Sequence, residues 1–152
     1  MGIEIREKLV QNANAKLNHE VFENLFFAYG NANNLIKDLI NNLNEIQFDS
    51  ISVYFPDPWF KKKHHKRRII QYDFLKNLSK LMTSGSIIVV KSDVFELFQY
   101  IDNTIINSSF FFKIDGNVDF NNFFNPNGLK TVRENYVIQN NLPIFEQIYI
   151  RK

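Results

Sequence analysis

The hydrophobic positions of the chain follow two periods. Short apolar runs, several with every second residue apolar, alternate with longer stretches in which apolar residues recur every three or four positions. A strand turns alternate side chains to one face, whereas a helix returns to the same face after about 3.6 residues. The alternation of the two patterns therefore predicts a parallel sheet with crossover helices.

Six segments have the strand pattern and four have the helix pattern. The predicted strands span residues 3–5, 24–29, 51–55, 86–91, 110–114 and 144–150. The predicted helices span residues 7–23, 32–43, 69–82 and 94–107, and a polar, Asn-rich loop spans roughly 115–130. The run 86–91 is almost continuously apolar, as in a strand covered on both faces. We expect an open, mostly parallel α/β sheet with helices on both faces, whose ligands bind beyond the carboxyl ends of the strands.

Length and composition indicate one folded domain spanning residues 1–152. The chain has 152 residues, 45% of them hydrophobic, with 16 Phe, so it can bury a core. It has no cysteine, which excludes disulfides and thiolate metal sites. No apolar run approaches the ~18 residues of a membrane span, so no membrane partner is expected. With no targeting segment seen and an Asn-rich, AT-type bias, we expect a cytoplasmic location or the interior of an organelle with its own AT-rich genome.

The formal charge of +2 hides a strong asymmetry. Residues 61–68 contain six Lys or Arg and two His. The remaining 12 basic residues stand against 16 acidic ones, so the rest of the chain carries −4. Such a cluster is typical of a surface that binds a phosphate backbone, although a solvated loop or a nuclear-localisation stretch would look the same.

The segment before this cluster contains the most informative candidate for catalysis. Asp57 lies between Pro56 and Pro58, directly after the strand predicted at 51–55. Each proline ring fixes its own φ and restricts the residue before it, so Asp57 is expected on a stiff loop. An ordinary Asp in a proline turn is the simpler interpretation. Trp59 could stack on a base or anchor the loop, and the adjacent His64 and His65 do not suggest a metal site.

The sequence Phe55-Pro56-Asp57-Pro58-Trp59, with Lys61 and the tail His65-Lys66-Arg67-Arg68, resembles the signature loop of the tRNA (guanine-N7)-methyltransferase family. These bacterial-type enzymes use S-adenosylmethionine. Four further segments are similar to family segments in the same order: Gly2-Ile3-Glu4-Ile5-Arg6, Gly30-Asn31-Ala32, Ser92-Asp93 and Thr131-Val132-Arg133-Glu134. The resemblance covers essentially the whole chain and implies a Rossmann-like class I methyltransferase fold.

The resemblance also implies roles for individual residues. Glu4 would accept hydrogen bonds from the ribose hydroxyls of S-adenosylmethionine, Asn31 would lie by its adenine, and Asp57 would be catalytic and would also line the cofactor site. The residues that would contact the tRNA substrate are Lys61, Asp93, Thr131 and Glu134. Those that would grip the RNA backbone are Lys63, His64, His65, Lys66, Arg67 and Arg68. From the residues alone, Ser92-Asp93 could instead cap the helix predicted at 94–107.

The chain departs from the family in one respect. Members normally begin with a central strand and a Gly-rich turn, whereas the 5 glycines here lie at 2, 30, 85, 116 and 128, too far apart for such a turn. Without that strand, the strands at 3–5 and 51–55 would expose edges or pair with each other. Three hypotheses follow: an active methyltransferase, an inactive homologue that binds tRNA or other RNA, and a chain completed by a partner chain or by homo-oligomerisation.

Overall fold

A computed structural model describes residues 1–18, 20–42, 47–114 and 128–152. The chain divides into two compact units, Met1–Ile46 and Gln47–Lys152, and each is described by itself. The single domain expected from the length stays a prediction. In the described residues, no helix is long and apolar enough to cross a membrane. The same residues contain no group of three or more His, Cys, Asp or Glu side chains arranged to hold a metal ion.

The first unit is a two-stranded parallel sheet with two helices. Its elements are β1 (Gly2–Glu4), α1 (Glu7–Lys16), β2 (Phe27–Tyr29) and α2 (Ala32–Asn42). Glu4 pairs with Tyr29, so the carboxyl ends of β1 and β2 meet at one edge. Helix α1 contacts both strands, and Asn14 Nδ2 donates to Phe27 O at 3.1 Å. A side chain at Gly2 would lie 2.7 Å from the Phe27 ring, so this strand approaches its neighbour closely.

The second unit is a four-stranded sheet with the order β3-β4-β6-β5. Strand β3 is parallel to β4, whereas β6 is antiparallel to both β4 and β5. The strands are β3 (Ser50–Tyr54), β4 (Ile87–Ser92), β5 (Phe111–Lys113) and β6 (Phe145–Arg151). The helices are a 3-10 helix (Lys62–Arg67), α3 (Tyr72–Leu78), α4 (Phe95–Asn107) and α5 (Val132–Gln139).

Strand β4 is the centre of the second unit's core. Ile88, Val89 and Val90 are fully buried, and β4 has a paired strand on each side, as the apolar run predicts. Tyr149 of β6 is also fully buried, and its hydroxyl donates to Asp102 Oδ1 at 2.7 Å. Burial, together with that carboxylate, raises the pKa of Tyr149. The carboxyl ends of β3 and β4 therefore belong to paired strands, of which β4 is buried.

The α/β class is confirmed, and several boundaries differ from the predicted ones. Helix α1 ends at Lys16 rather than at 23, because Asn18 Oδ1 accepts from Glu20 N at 3.0 Å and offers the backbone an alternative to the helix. Helix α3 is shorter than 69–82, although Leu81 and Met82 are buried in the turn after it. Most of the predicted loop at 115–130 and the end of the helix predicted to reach 43 lie outside the described residues.

Two elements had no counterpart among the predicted helices and strands. These are the 3-10 helix and α5, which follows the predicted loop. The sheet is also divided between the two units, where the sequence pattern predicts one. In the described part of the chain, β1 pairs only with β2, and β3 pairs only with β4. Each of these two strands thus has one edge without a paired strand among the described residues of its own unit.

Candidate active site and nucleic-acid interface

The loop 56–58 follows β3, and the residue before it is hydrogen-bonded to the end of β4. Phe55 N donates to Lys91 O at 2.8 Å, which holds the start of the loop against the end of β4. Phe55 and Trp59, on either side of the loop, have φ values of 50° and 47°. Non-glycine residues adopt such values at a cost, and they persist only where surrounding contacts hold them. Between them, Asp57 presents an exposed carboxylate on a constrained loop.

The basic segment forms the 3-10 helix Lys62–Arg67, directly after this loop. The helix begins with His64 N donating to Lys61 O at 2.8 Å. Its cations are displayed on the surface, whereas His64 and His65 are half-buried. The exposed cations of the segment are Lys61, Lys62, Lys63, Lys66 and Arg67. This compact array follows the same strand end as Asp57.

Trp59 anchors the basic helix to the loop. Its ring meets the His64 ring edge-on with the centroids 5.8 Å apart, and the Arg67 guanidinium lies 5.0 Å from the Trp59 ring centroid. The Trp59 side chain is half-buried. Of the two interpretations that the sequence leaves open for Trp59, these contacts favour the anchor over a platform for an RNA base.

Arg68 has an internal position, in contrast to its predicted role in gripping the RNA backbone. It is 8% exposed, its Nε donates to Pro58 O at 2.9 Å, and its guanidinium lies 4.6 Å from the Tyr100 ring centroid. Nη2 is 3.1 Å from His65 Nε2, which accepts this hydrogen bond only when that nitrogen carries no proton. Arg68 thus joins the loop 56–58 to α4, and it presents its charge to the protein.

Asp93 lies just past the end of β4, and its carboxylate bonds to Arg133 of α5. The Asp93 side chain is 11% exposed. The neighbouring Ser92 Oγ accepts from Val94 N at 3.1 Å. This bond lies before the helix, and the N-cap of α4, Val94, has no side-chain cap hydrogen bond, so the helix-capping interpretation of Ser92-Asp93 is wrong. Asp93 instead connects the end of β4 to α5.

Thr131 and Glu134 begin α5 with a reciprocal capping box. Thr131 Oγ1 accepts from Glu134 N at 3.0 Å, and Glu134 Oε2 accepts from Thr131 N at 3.4 Å. Glu134 Oε1 also accepts from Lys91 Nζ at 2.9 Å. Burial opposes the charge on Lys91, but the hydrogen bond and the negative charge of Glu134 outweigh it and raise the pKa of Lys91.

Glu4 and Asn31 lie together in the first unit, where Gly30 N donates to Glu4 O at 3.1 Å. Arg6 donates to both Glu4 oxygens, at 3.0 Å each, and these side-chain bonds lower the pKa of Glu4. Asn31 Oδ1 accepts from Asn33 N at 2.9 Å and caps α2. An ionised carboxylate beside an amide suits a nucleoside with vicinal hydroxyls and a base, so this donor and acceptor set fits S-adenosylmethionine.

The predicted site residues thus form two groups. In the second unit, Asp57, Lys61, Asp93, Thr131 and Glu134 belong to segments that meet at the carboxyl ends of β3 and β4. In the first unit, Glu4 and Asn31 share the corresponding edge of β1 and β2. Sequence reasoning missed Lys91 and Arg133. Lys91 could have been found as the one charge ending an apolar strand, because a buried cation requires a partner.

Comparisons with known proteins identify the family of the chain. A family model described as "Putative methyltransferase" matches residues 1–147. The chain is 53% identical over 99% of its length to the tRNA (guanine-N(7)-)-methyltransferase of Prochlorococcus marinus (strain AS9601), of which the match covers 73%. It is 36% identical over 99% of its length to the enzyme of the same name from strain NATL2A, of which 71% is covered. The chain therefore belongs to the tRNA (guanine-N7)-methyltransferase family.

Proposed function

We propose that this chain transfers a methyl group from S-adenosylmethionine to N7 of a variable-loop guanosine in tRNA. The observation that carries the proposal is the juxtaposition of an exposed, constrained carboxylate, Asp57, with the exposed cations of the helix Lys62–Arg67. A reacting group beside a phosphate-binding surface is what chemistry on a folded RNA requires. The family relationship supports the same reaction.

The chemistry needs alignment more than a strong base. Guanine N7 has an exposed lone pair and no proton to lose, so the protein must chiefly hold the base in line with the methyl donor. S-adenosylmethionine, when bound, supplies an electrophilic methyl group on a sulfonium. As the methyl group moves, positive charge develops on the purine, and a fixed carboxylate lowers the energy of that charge. Two prolines and two left-handed residues constrain the loop of Asp57, which supports this role.

Asp57 and Asp93 are the acceptors that would read the guanine edge, which presents N–H donors, whereas Glu134 is buried and its oxygens accept from Lys91 Nζ and Thr131 N. Asp93 is bonded to Arg133, so a guanine bound there would exchange with that guanidinium. In the first unit, Glu4 would hold the ribose hydroxyls of the cofactor and Asn31 its adenine. Arg6 lowers the pKa of Glu4, and an ionised carboxylate can accept hydrogen bonds at both oxygens.

The tRNA backbone would lie along the exposed part of the basic segment. Lys61, Lys63, Lys66 and Arg67 are exposed and can each neutralise a phosphate. His64 is half-buried against Trp59 and can add a hydrogen bond to a phosphate. Arg68 instead bonds to the loop 56–58 through Pro58 O, and His65 bonds to Arg68. We therefore assign the phosphate contacts to those four exposed cations and to Lys62, the fifth exposed cation of the segment.

A methyl-transfer assay tests the proposal. The chain is incubated with tritiated S-adenosylmethionine and unmodified tRNA, and labelled nucleosides are identified after digestion. We expect label in N7-methylguanosine from the variable loop, and a loss of at least about 100-fold in Asp57→Ala, as for removal of a group that stabilises transition-state charge. Asp73→Ala, an exposed carboxylate in α3, is the matched control and should label normally.

A second candidate function is RNA binding without methyl transfer. It is favoured by the engagement of both Glu4 oxygens with Arg6. The same assay separates the two functions. Intact tRNA binding with no label above background would reject the enzyme and support the binding protein.

We further propose that the two units form one methyltransferase domain whose unpaired strand edges, at β1 and β3, take an additional strand. A partner chain or a second copy could supply it. Size-exclusion chromatography at increasing concentration would reveal association between copies. Location in the cytoplasm, or in an organelle with an AT-rich genome, is compatible with a tRNA substrate and stays a prediction.

A further inference from the structure

Lys91 connects the two segments of the second unit that carry most of the candidate site. Its backbone oxygen accepts from Phe55 N at 2.8 Å, at the start of the loop that holds Asp57. Its side chain, 10% exposed, reaches Glu134 Oε1 at 2.9 Å. One residue of β4 thus contacts both the loop 56–58 and the beginning of α5.

The contact between Lys91 and Glu134 affects the conformation of residues 131–134 as well as the Glu134 side chain. The other Glu134 oxygen accepts from Thr131 N, and the Glu134 N–H donates to Thr131 Oγ1, so the position of Glu134 sets the conformation of residues 131–134. The Glu134 side chain is 9% exposed and depends on Lys91 for a compensating charge. A carboxylate this buried without a cation would take up a proton more readily.

We propose that Lys91 is a positioning residue for methyl transfer, which supplies the charge partner of the buried Glu134 carboxylate and aligns residues 131–134 with the loop that carries Asp57. The inference rests on the proposed function. The charged and titratable groups around the pair are Glu146 of β6, 3.4 Å from Lys91 Nζ, Tyr54 of β3, whose ring centroid is 5.4 Å from that atom, and Arg133 next to Glu134. Glu146 is 45% exposed and is also negative, so it cannot replace Lys91 as partner of Glu134.

The test compares pH–rate profiles of tRNA methylation, from about pH 6 to 9, for the wild type, Lys91→Met and Lys91→Arg. In Lys91→Met we expect kcat to fall about 10-fold or more at the acidic end and to recover as pH rises, because Glu134 must first lose its proton. KM for S-adenosylmethionine should not change. Lys91→Arg keeps the cation and should restore most of the rate. Lys91→Gln replaces Lys91→Met if the latter fails to fold.

Two further variants distinguish positioning from a purely structural role. Lys91→Met/Glu134→Gln retains a capping residue and has no buried carboxylate, so it should fold but remain slow, without the new pH dependence. Glu146→Gln keeps the bond between Lys91 and Glu134 and should behave as the wild type. A Lys91→Met profile parallel to that of the wild type, or a double variant that retains the extra pH dependence, would overturn the proposal.

A readout that does not need activity separates this proposal from the proposed function. Carboxyl ¹³C titration by NMR, with Glu134→Gln to assign the resonance, should show a higher Glu134 pKa in Lys91→Met than in the wild type. If the wild type does not methylate tRNA, the proposed function and this catalytic role both fail, whatever the NMR result. If the wild type is active and the Glu134 pKa is unchanged, only the inference about Lys91 fails.

Discussion

Neighbouring residues of the basic segment 61–68 have different roles, because some side chains are exposed and others are buried. Arg67 is exposed and lies over Trp59, whereas Arg68 is buried and donates to Pro58 O. Guanidinium groups serve both purposes because their planar fork can bridge backbone oxygens and aromatic faces as well as phosphates. The charge of the segment therefore overstates the number of cations available to RNA.

This difference in burial predicts that two alanine substitutions lower the free energy of unfolding by different amounts. Arg68→Ala leaves the partly buried Pro58 O without its donor and should lower the free energy of unfolding by about 1–3 kcal/mol. Arg67→Ala removes an exposed contact with Trp59 and should cost about 1 kcal/mol or less. Trp59 is the sole tryptophan, so urea unfolding followed by its fluorescence reports on this loop directly. An equal decrease in the free energy of unfolding in Arg68→Ala and Arg67→Ala would contradict the internal role of Arg68.

At the scale of elements, side-chain bonds join the N-terminus of α5 to the end of β4. Its capping box is reciprocal, and Lys91 and Asp93 of the β4 end bond to Glu134 and Arg133. A helix of eight residues has little stability of its own, because isolated helices of this length are marginal in water. Its position therefore depends on these bonds.

Thr131→Ala tests this dependence. The loss of an N-cap hydroxyl typically costs about 1 kcal/mol, and the Glu134 N–H, which donates to Thr131 Oγ1, should exchange with solvent about five times faster or more. Hydrogen exchange measured by NMR checks both the size and the place of the effect. Val132→Ala, the next residue and 90% exposed, is the control and should leave that exchange rate unchanged.

At the scale of the whole molecule, the basic segment is positively charged and the rest of the chain has a net negative charge. The basic segment follows the carboxyl end of β3, whereas Lys80 precedes a turn whose Leu81 O accepts from Phe48 N, just before the amino end of β3. Lys80 is exposed but lies toward the opposite end of the strand. Cations at the two ends of β3 should therefore contribute differently to RNA binding.

Salt dependence of tRNA binding measures that contribution. Each phosphate contact adds roughly 0.9 to the slope of log affinity against log salt concentration on duplex nucleic acid. Lys63→Ala and Arg67→Ala should each reduce the slope by about 1, whereas Lys80→Ala should leave it unchanged. Filter binding at several salt concentrations gives the slopes. A reduction in Lys80→Ala equal to that in Lys63→Ala would place the RNA elsewhere on the protein.

Much of the fold could be predicted because its signals are local. The apolar run of β4 and the stripe of α4 follow from periodicity alone, and the observed bounds differ from the predicted ones by one residue. Helix α5 was missed, although Thr131 and Glu134 have the spacing of a capping box. The end of α1 was misplaced because one Asn side chain competed with the helix, an effect that periodicity does not register.

The sequence alone was sufficient for the α/β class, the family, and the residue types of the candidate site, because periodicity and motif spacing are properties of neighbours along the chain. The tertiary structure decided the partners of those residues: Lys91 with Glu134, Arg133 with Asp93, and Arg68 with Pro58. These pairs join residues 10, 40 and 43 positions apart. Such contacts exist only after the strands and helices have packed, since packing brings the charges together and excludes the water that would otherwise solvate them.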